Sequence, residues 1–493
     1  MRSRESMARH VRVLMLGWEY PPRFAGGLGK ACRGISQAIA KQGGQVFFVL
    51  PTFPNPVHEP RLEVVGAHEV LIETGWDPDF EVQSVIREGE MLRVRVIQSQ
   101  AQLFPYGAAP SGPVPERILK MLTRVMESEP AELLRGTRVG GRKRVWVRRE
   151  HAAGGSQEAG SGGSSAKDSP TGSKEIYGRN LWSEIEKFCF TVRHMAESQE
   201  IDVIHAHDWM TFPAAFEAHR VTGAPVFLHV HATEYDRSGD SLDNDVFRIE
   251  REGFRRATHI FAVSRYTAGV IERLYGVPKR KITVIYNAPD DDEKGVIASP
   301  DDPREPQVVF LGRLTFQKGP DHFLQAAAQV ARAQPDARFL FCGTGDMIDK
   351  LRAQAHGLGI EERVHFAGFV DPKRVDEILA RSRVLVMPSV SEPFGLVALE
   401  AIRCGIPVII SKQSGVREVL PRALQVDFWD HEKLADQMSA ALRLRDLSRQ
   451  LVADGMDLIQ QLSWEKSAIR VLESYRQHLG STYYQAIEGA HGH

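Results

Sequence analysis

Short, largely apolar runs separated by helix-length segments recur along this 493-residue chain in two series, and that rhythm admits few folds. The first series opens with Arg12–Gly17, a glycine-bearing loop, a helical stretch Ala31–Lys41 and a second run Gln45–Leu50. It continues at Val203–Ala206, Pro225–Val230 and His259–Val263. Runs without polar alternation suit strands buried on both faces, as in a parallel sheet covered by helices. The pattern predicts a Rossmann-type α/β domain over residues 1–287. Residues 288–306 are polar and carry two prolines in Asp301–Pro306, which predicts a linker. The rhythm then restarts at Val308–Gly312, Arg338–Gly343, Val364–Phe366 and Val384–Met387, predicting a second doubly wound α/β domain over 307–462. The expected fold class is therefore α/β, with two Rossmann-like doubly wound domains.

Composition narrows the partners. Apolar and charged fractions of 42% and 25% belong to an ordinary globular chain, and 493 residues exceed what one core supports. A net charge of −1 supplies no general attraction to nucleic acid or an anionic membrane. Cys32, Cys189, Cys342 and Cys404 are scattered without metal-ligand spacing and read as small hydrophobes of a reducing compartment. No run is long enough to span a bilayer, and Met1–His10 lacks the apolar segment of a secretory signal, so a cytoplasmic location is expected.

One stretch follows neither series. Between roughly 110 and 175 an insertion interrupts the first domain, and His151–Lys174 within it is so rich in Gly, Ser and Ala that disorder is expected. The basic run Arg142–Arg149 precedes it, so a docking surface for a protein partner and a solvated excursion both stay open.

Four groups of residues could carry chemistry. Ser389–Glu400 follows the run Arg383–Pro388 and enters a predicted helix Leu396–Arg403, so it occupies a strand-to-helix turn. Glu392 falls before that helix and Glu400 roughly two turns in, while the N–H groups of Gly395 and Leu396 would face an anion such as a diphosphate. The same acids also suit a helix start and a solvated face. Arg313 and Lys318 leave the end of Val308–Gly312, where a fork and a point charge could match two phosphates and stabilise a departing diphosphate. Gly26 and Gly27 belong to a loop that would let backbone approach a ligand, although GGLG matches neither the dinucleotide fingerprint nor a P-loop. His205–Trp209 and His229–Arg237 follow two strands and predict a cleft wall that hydrogen-bonds a polyhydroxylated ligand. No H-E-x-x-H helix accompanies them, and no bound metal is expected.

Taken together, Gly26–Gly29 (GGLG), His205–Trp209 (HAHDW), His229–Arg237 (HVHATEYDR), Gly312–Gly319 (GRLTFQKG) and Glu392–Glu400 (EPFGLVALE) form an ordered set. In this set the chain resembles the retaining glycosyltransferases of the GT-B fold, in glycosyltransferase family 4 and its glycogen synthase-like relatives. The resemblance implies two domains facing across a cleft, an NDP-sugar donor held by the second, and a saccharide acceptor held by the first. It implies transfer of a hexosyl group, glucosyl foremost, to an acceptor such as an α-glucan, with no cofactor and no required metal. By matched position Arg313 and Lys318 would bind the diphosphate, Gly26 and Gly27 would approach it from across the cleft, and Glu400 would hold the ribose. Glu392 would face the transferred sugar beside Gly395 and Leu396, and Phe369 would stack on the base. His231 matches the family's active-site histidine, and Asp208 lies near donor sugar or acceptor. The resemblance further implies that the helix Ser463–Leu479, within residues 463–493, packs back on the first domain. Phe24 stands where bacterial glycogen synthases carry the lysine of K-V-G-G-L, which points to a broader relative. Two alternatives remain: a sugar-nucleotide epimerase and a non-catalytic nucleotide-sugar or glucan-binding protein.

Overall fold

The computed structural model describes residues 11–21, 26–51, 57–59, 61–66, 85–88, 91–94, 181–289 and 305–480. Phe24, the insertion at 110–175 and most of the 288–306 linker lie outside the described residues.

Two sheets organise these residues. The first contains β1 (Arg12–Leu16), β2 (Gln45–Leu50), β3 (Val57–Glu59) and β4 (Leu62–Gly66), while β5 (Val85–Glu88) and β6 (Met91–Val94) pair apart as an antiparallel hairpin. It is completed by β7 (Val203–His207), β8 (Val226–Val230), β9 (His259–Ala262) and β10 (Ile282–Val284). Its order is β10-β9-β8-β7-β1-β2-β4-β3, parallel throughout except for the edge strand β3. The second sheet holds β11 (Gln307–Leu311), β12 (Arg338–Cys342), β13 (Val364–Gly368), β14 (Val384–Met387), β15 (Val408–Ser411) and β16 (Leu424–Val426). All its pairs are parallel, in the order β13-β12-β11-β14-β15-β16. The apolar runs explain the burial: every residue of β7, β8, β9, β14 and β15 is buried, because helices cover both faces.

Each order reverses once, between β1 and β7 in the first sheet and between β11 and β14 in the second. At such a reversal the adjacent loops leave in opposite directions and open a crevice at the carboxyl ends of the strands.

The last described helix, Trp464–Leu479, returns to the first sheet. Trp464, Ala468, Val471, Leu472 and Tyr475 join Ile35, Ile39, Phe48, Phe227 and Phe261 in one core cluster. Burying Val471, Leu472 or Tyr475 contributes roughly 1.5–3 kcal/mol each. The N-terminal helix, Gly27–Lys41, lies against it with a glycine at the closest point. A Cβ on Gly34 would fall 2.2 Å from the Trp464 indole, so this crossing requires the absence of a side chain.

One boundary and one position differ from the sequence expectation. The N-terminal helix begins at Gly27 and not at Ala31, so Gly27 and Gly29 lie in its first turn with Gly26 as N-cap. Gly29 donates its N–H to Glu19, and that contact supports the early start. The helix Leu396–Arg403 places Glu400 in its second turn, nearer its start than the two turns expected.

Replacing Gly34 by Ala should lower unfolding free energy by about 2 kcal/mol, the usual scale of overpacking, despite the gain in helix propensity. Chemical denaturation checks this, and an unchanged midpoint would mean that the two helices separate readily.

Candidate active site

The two crevices face one another. From the second sheet, Arg313 and Lys318 lie after β11, and Glu392 lies after β14. The loops pack tightly, since Val390 donates its N–H to the Gln317 carbonyl at 2.9 Å. Lys318 Nζ sits 2.7 Å from Glu392 Oε2, and Ser389 Oγ donates to the same oxygen at 3.0 Å. Glu392 is 7% exposed in its side chain and Lys318 23%, so the pair is shielded from solvent while the lysine keeps an open side. Arg313 Nη2 donates to Gln317 Oε1 at 3.1 Å. Gly395 then turns the chain into the helix with φ 103°, a conformation that a side chain strains, and a Cβ there would lie 2.8 Å from Met387. The helix Leu396–Arg403 starts at Gly395 without a side-chain cap, so its first turn has N–H groups that the helix itself does not bond.

From the first sheet come Asp208, after β7, and His231, after β8. Asp208 has φ 58° and ψ 164°, a backbone state that costs a non-glycine residue about 1–3 kcal/mol. Its own hydrogen bonds hold it there: Asp208 Oδ1 accepts from the His231 N–H at 2.7 Å, and the Asp208 N–H donates to the His229 carbonyl at 3.0 Å. Such a backbone state persists only where the surrounding bonds over-determine it, as these two do.

Of the expected cleft wall, only part reaches the crevice. His205, His207 and His229 are buried, because strand alternation turns them to the face covered by the Trp464–Leu479 helix. Their rings form a column with His231, with centroids 4.6 Å apart for His205–His207 and for His229–His231. His207 Nδ1 faces His231 Nε2 at 2.9 Å, His205 Nε2 faces His229 Nδ1 at 3.2 Å, and Tyr475 hydroxyl bonds His205 Nδ1. Burial holds all four imidazoles below their usual range, with Asp208 opposing the shift only at His231. Glu234 and Arg237 are likewise internal: Arg237 bridges Glu234 and Glu250 at 3.1 and 2.7 Å. They hold the loop's shape.

Cys32, His207 and His231 form one candidate ligand set for a metal, and His205, His207 and His229 another, with ligand atoms within 4.8 Å. Lone pairs lie in the ring planes, and interplanar angles of 15–23° keep those of the second set from converging. In the first set the facing nitrogens of the two imidazoles are already hydrogen-bonded to each other.

Across the crevice, Gly27 comes near Leu396: a Cβ on Gly27 would be 3.9 Å from Leu396 Cδ1. Lys30 Nζ reaches Glu400 Oε1 at 2.7 Å. Ser391 Oγ donates to Asp236 Oδ1 and lies 2.8 Å from Tyr266 hydroxyl. Phe369, after β13, is 77% exposed and free to stack on a planar group.

Sequence reading passes over Glu19 and Lys30, although the two flank the Gly26–Gly29 loop. Glu19 is buried between the glycine turn and Asp208, with Gly29 N–H donating to its Oε2 at 3.2 Å. Burial pushes its carboxyl up to about 8, against the lowering effect of that bond and of Arg313 from the other sheet. The Glu-x-Pro-Pro start of the loop is ordinary composition and carries no such signal.

A raised acid stabilises the fold while protonated and loses that contribution as pH rises through its folded pKa. Wild-type stability should therefore fall relative to Glu19→Gln between about pH 5 and pH 8, the window set by the Glu19 shift. Thermal denaturation of both proteins across that window checks the sign; a constant gap would mean that Glu19 is ionised throughout.

Three comparisons with known proteins agree with this geometry. The family model "Glycosyl transferases group 1" matches residues 292–456, "Glycosyltransferase Family 4" matches 160–293, and "Starch synthase catalytic domain" matches 12–120. A glycogen synthase of Mycobacterium tuberculosis is 25% identical over 415 residues, covering 83% of this chain and 80% of that protein. Among solved structures, sucrose-phosphate synthase from Thermosynechococcus elongatus superposes with a TM-score of 0.61 at 18% identity, over 95% of this chain and 99% of that one. Anabaena HepE in complex with UDP-glucose superposes with a TM-score of 0.50 at 21% identity, over 58% and 81%. No helix among the described residues is long and apolar enough to cross a membrane. Two facing parallel sheets with reversed strand order, matched in succession by three glycosyltransferase models, place this chain among the glycosyltransferases of the GT-B fold, related to family 4 and glycogen synthase.

Proposed function

We propose that the chain is a retaining hexosyltransferase that moves a glucosyl group from an NDP-glucose donor to a saccharide acceptor, an α-glucan foremost. The observation that carries this reading is the Lys318–Glu392 contact at the second crevice, with Arg313 on the same loop and a helix start beside it. The starch synthase match and the glycogen synthase relative support a glucan acceptor. The UDP-glucose named with HepE supports a glucose-bearing nucleotide.

In this reading Arg313 and Lys318 take the diphosphate, aided by the N–H groups of Gly395 and Leu396 and approached by the Gly26–Gly27 backbone. Lys318 then exchanges part of its contact with Glu392 for phosphate, which frees a Glu392 oxygen for the hydroxyls of the transferred sugar. Glu400 accepts from the ribose hydroxyls and Phe369 stacks on the base. His231 and Asp208 close the sugar pocket from the first sheet. His231 stays neutral because burial disfavours its cation, so it can donate one hydrogen bond without repelling an oxocarbenium-like centre.

The bond from the anomeric carbon to the diphosphate oxygen breaks with its electron pair leaving on the diphosphate. The acceptor oxygen bonds to that carbon on the same face, and its proton passes to the departing phosphate oxygen. Growing negative charge on the leaving group is met by two fixed cations in a shielded site, where preorganised charge lowers the barrier more than any other single effect. Those cations take the role a metal ion would have, so no resident cofactor is invoked.

Incubation with ADP-, UDP- and GDP-sugars, with and without maltooligosaccharides, followed by mass spectrometry should show transfer from at least one glucosyl donor with retained anomeric configuration. No product and no released nucleotide from any donor would sink the reading. Lys318→Ala should lower kcat about a hundredfold or more, on the order of 3 kcal/mol for one lost transition-state contact. An unchanged rate would remove Lys318 from the leaving-group role.

A further inference from the structure

Glu400 is held from the opposite sheet. Lys30, in the first turn of the N-terminal helix, places its Nζ 2.7 Å from Glu400 Oε1, and the two side chains are only 18% and 17% exposed. Glu400 belongs to the helix that follows Gly395, so the pair joins the two halves at the floor of the crevice. Alongside it, a Cβ on Gly27 would lie in van der Waals contact with Leu396.

A carboxylate offers about four lone-pair sites, and Lys30 uses one of them. Among the described residues Oε2 and the outer lone pair of Oε1 remain for two hydroxyl donors, which is the number a ribose diol presents. An unpinned glutamate would lose side-chain entropy on gripping that diol, whereas one already pinned loses less. The lysine also cancels a negative charge that would otherwise oppose the approach of a diphosphate. Both effects act on binding, and neither depends on the reacting carbon.

We propose that Lys30 is a positioning residue for the nucleoside: it orients the Glu400 carboxylate toward the ribose diol, so that ribose affinity depends on both halves being closed. This rests on the reading of Glu400 as ribose anchor given above. The ligand class concerned is a ribonucleoside diphosphate, free or as its sugar ester.

Isothermal titration of the full chain with UDP, ADP and GDP and with their 2′-deoxy counterparts tests it. Lys30→Met keeps the aliphatic stem, and should weaken the preferred ribonucleotide about tenfold, the scale of one charge-assisted contact. The matching 2′-deoxynucleotide, already short of one hydroxyl, should weaken by less than half as much on a logarithmic scale. Saturating donor should restore kcat to within about threefold, since the loss lies in binding. Lys30→Arg, which restores a cation at a similar reach, should recover most of the affinity, and a melting curve close to wild type confirms folding of each variant. An unchanged ribonucleotide Kd in Lys30→Met, or equal losses for ribo- and deoxynucleotides, overturns the positioning role. Wild-type protein that binds none of the six nucleotides removes the proposal together with the functional reading beneath it.

Discussion

A parallel sheet must carry its chain back across one face after every strand, and where the direction of that return changes, the adjoining loops part and leave a gap. In both sheets of this protein the change falls at the first strand of the series, between β1 and β7 and between β11 and β14. The groups that could carry chemistry gather at these two gaps: Glu19 and Asp208 at one, with His231 from the next strand beside them, and Arg313, Lys318 and Glu392 at the other. The reversal is what puts charges from distant parts of the chain within one crevice.

Holding so many polar groups away from water imposes conditions on everything around them. Burial disfavours the cations of the four imidazoles, and each shares one ring nitrogen or more with another imidazole or with Tyr475, while His207 Nε2 and His229 Nε2 stay buried without a partner among the described residues. Glu250, pushed up to about 8 by burial, receives the Arg237 guanidinium, the Tyr275 hydroxyl and the Glu234 N–H, and so shapes the loop that carries Asp236. Asp236 in turn meets Ser391 from the other half. The ordered interior beneath the first crevice is thus continuous with the contact that closes it.

Much of this can be read in the residues. The strands Gln45–Leu50 and Val384–Met387 and the helix Leu396–Arg403 follow directly from apolar runs and turn residues. The grouping of Arg313, Lys318 and Glu392 follows from their place at strand ends. The histidines are less legible, since a strand ending in His-x-His says which residues share a face but not which helix later covers it. The covering helix comes from the far end of the chain, 270 residues after His205, and Tyr475 carries no local sign of that pairing. Glu19 and Lys30 are hidden for the same reason: each gains its meaning from Arg313, Asp208 or Glu400, which the linear order keeps apart.

The chain passes between the halves after Tyr286 and comes back before Trp464, and the two passages touch where Ser467 Oγ donates to the Tyr286 carbonyl at 2.7 Å. Beside them Glu418 accepts from the N–H groups of Arg265 and Tyr266 at 2.9 and 2.8 Å and from the Tyr286 hydroxyl at 2.9 Å, so an acid of the second half caps a helix of the first. Sliding or twisting one half on the other would break the Glu418 cap and the Ser467 bond together. One flank of the crevice is therefore a hydrogen-bonded seam made of residues from both halves and from both crossings of the chain.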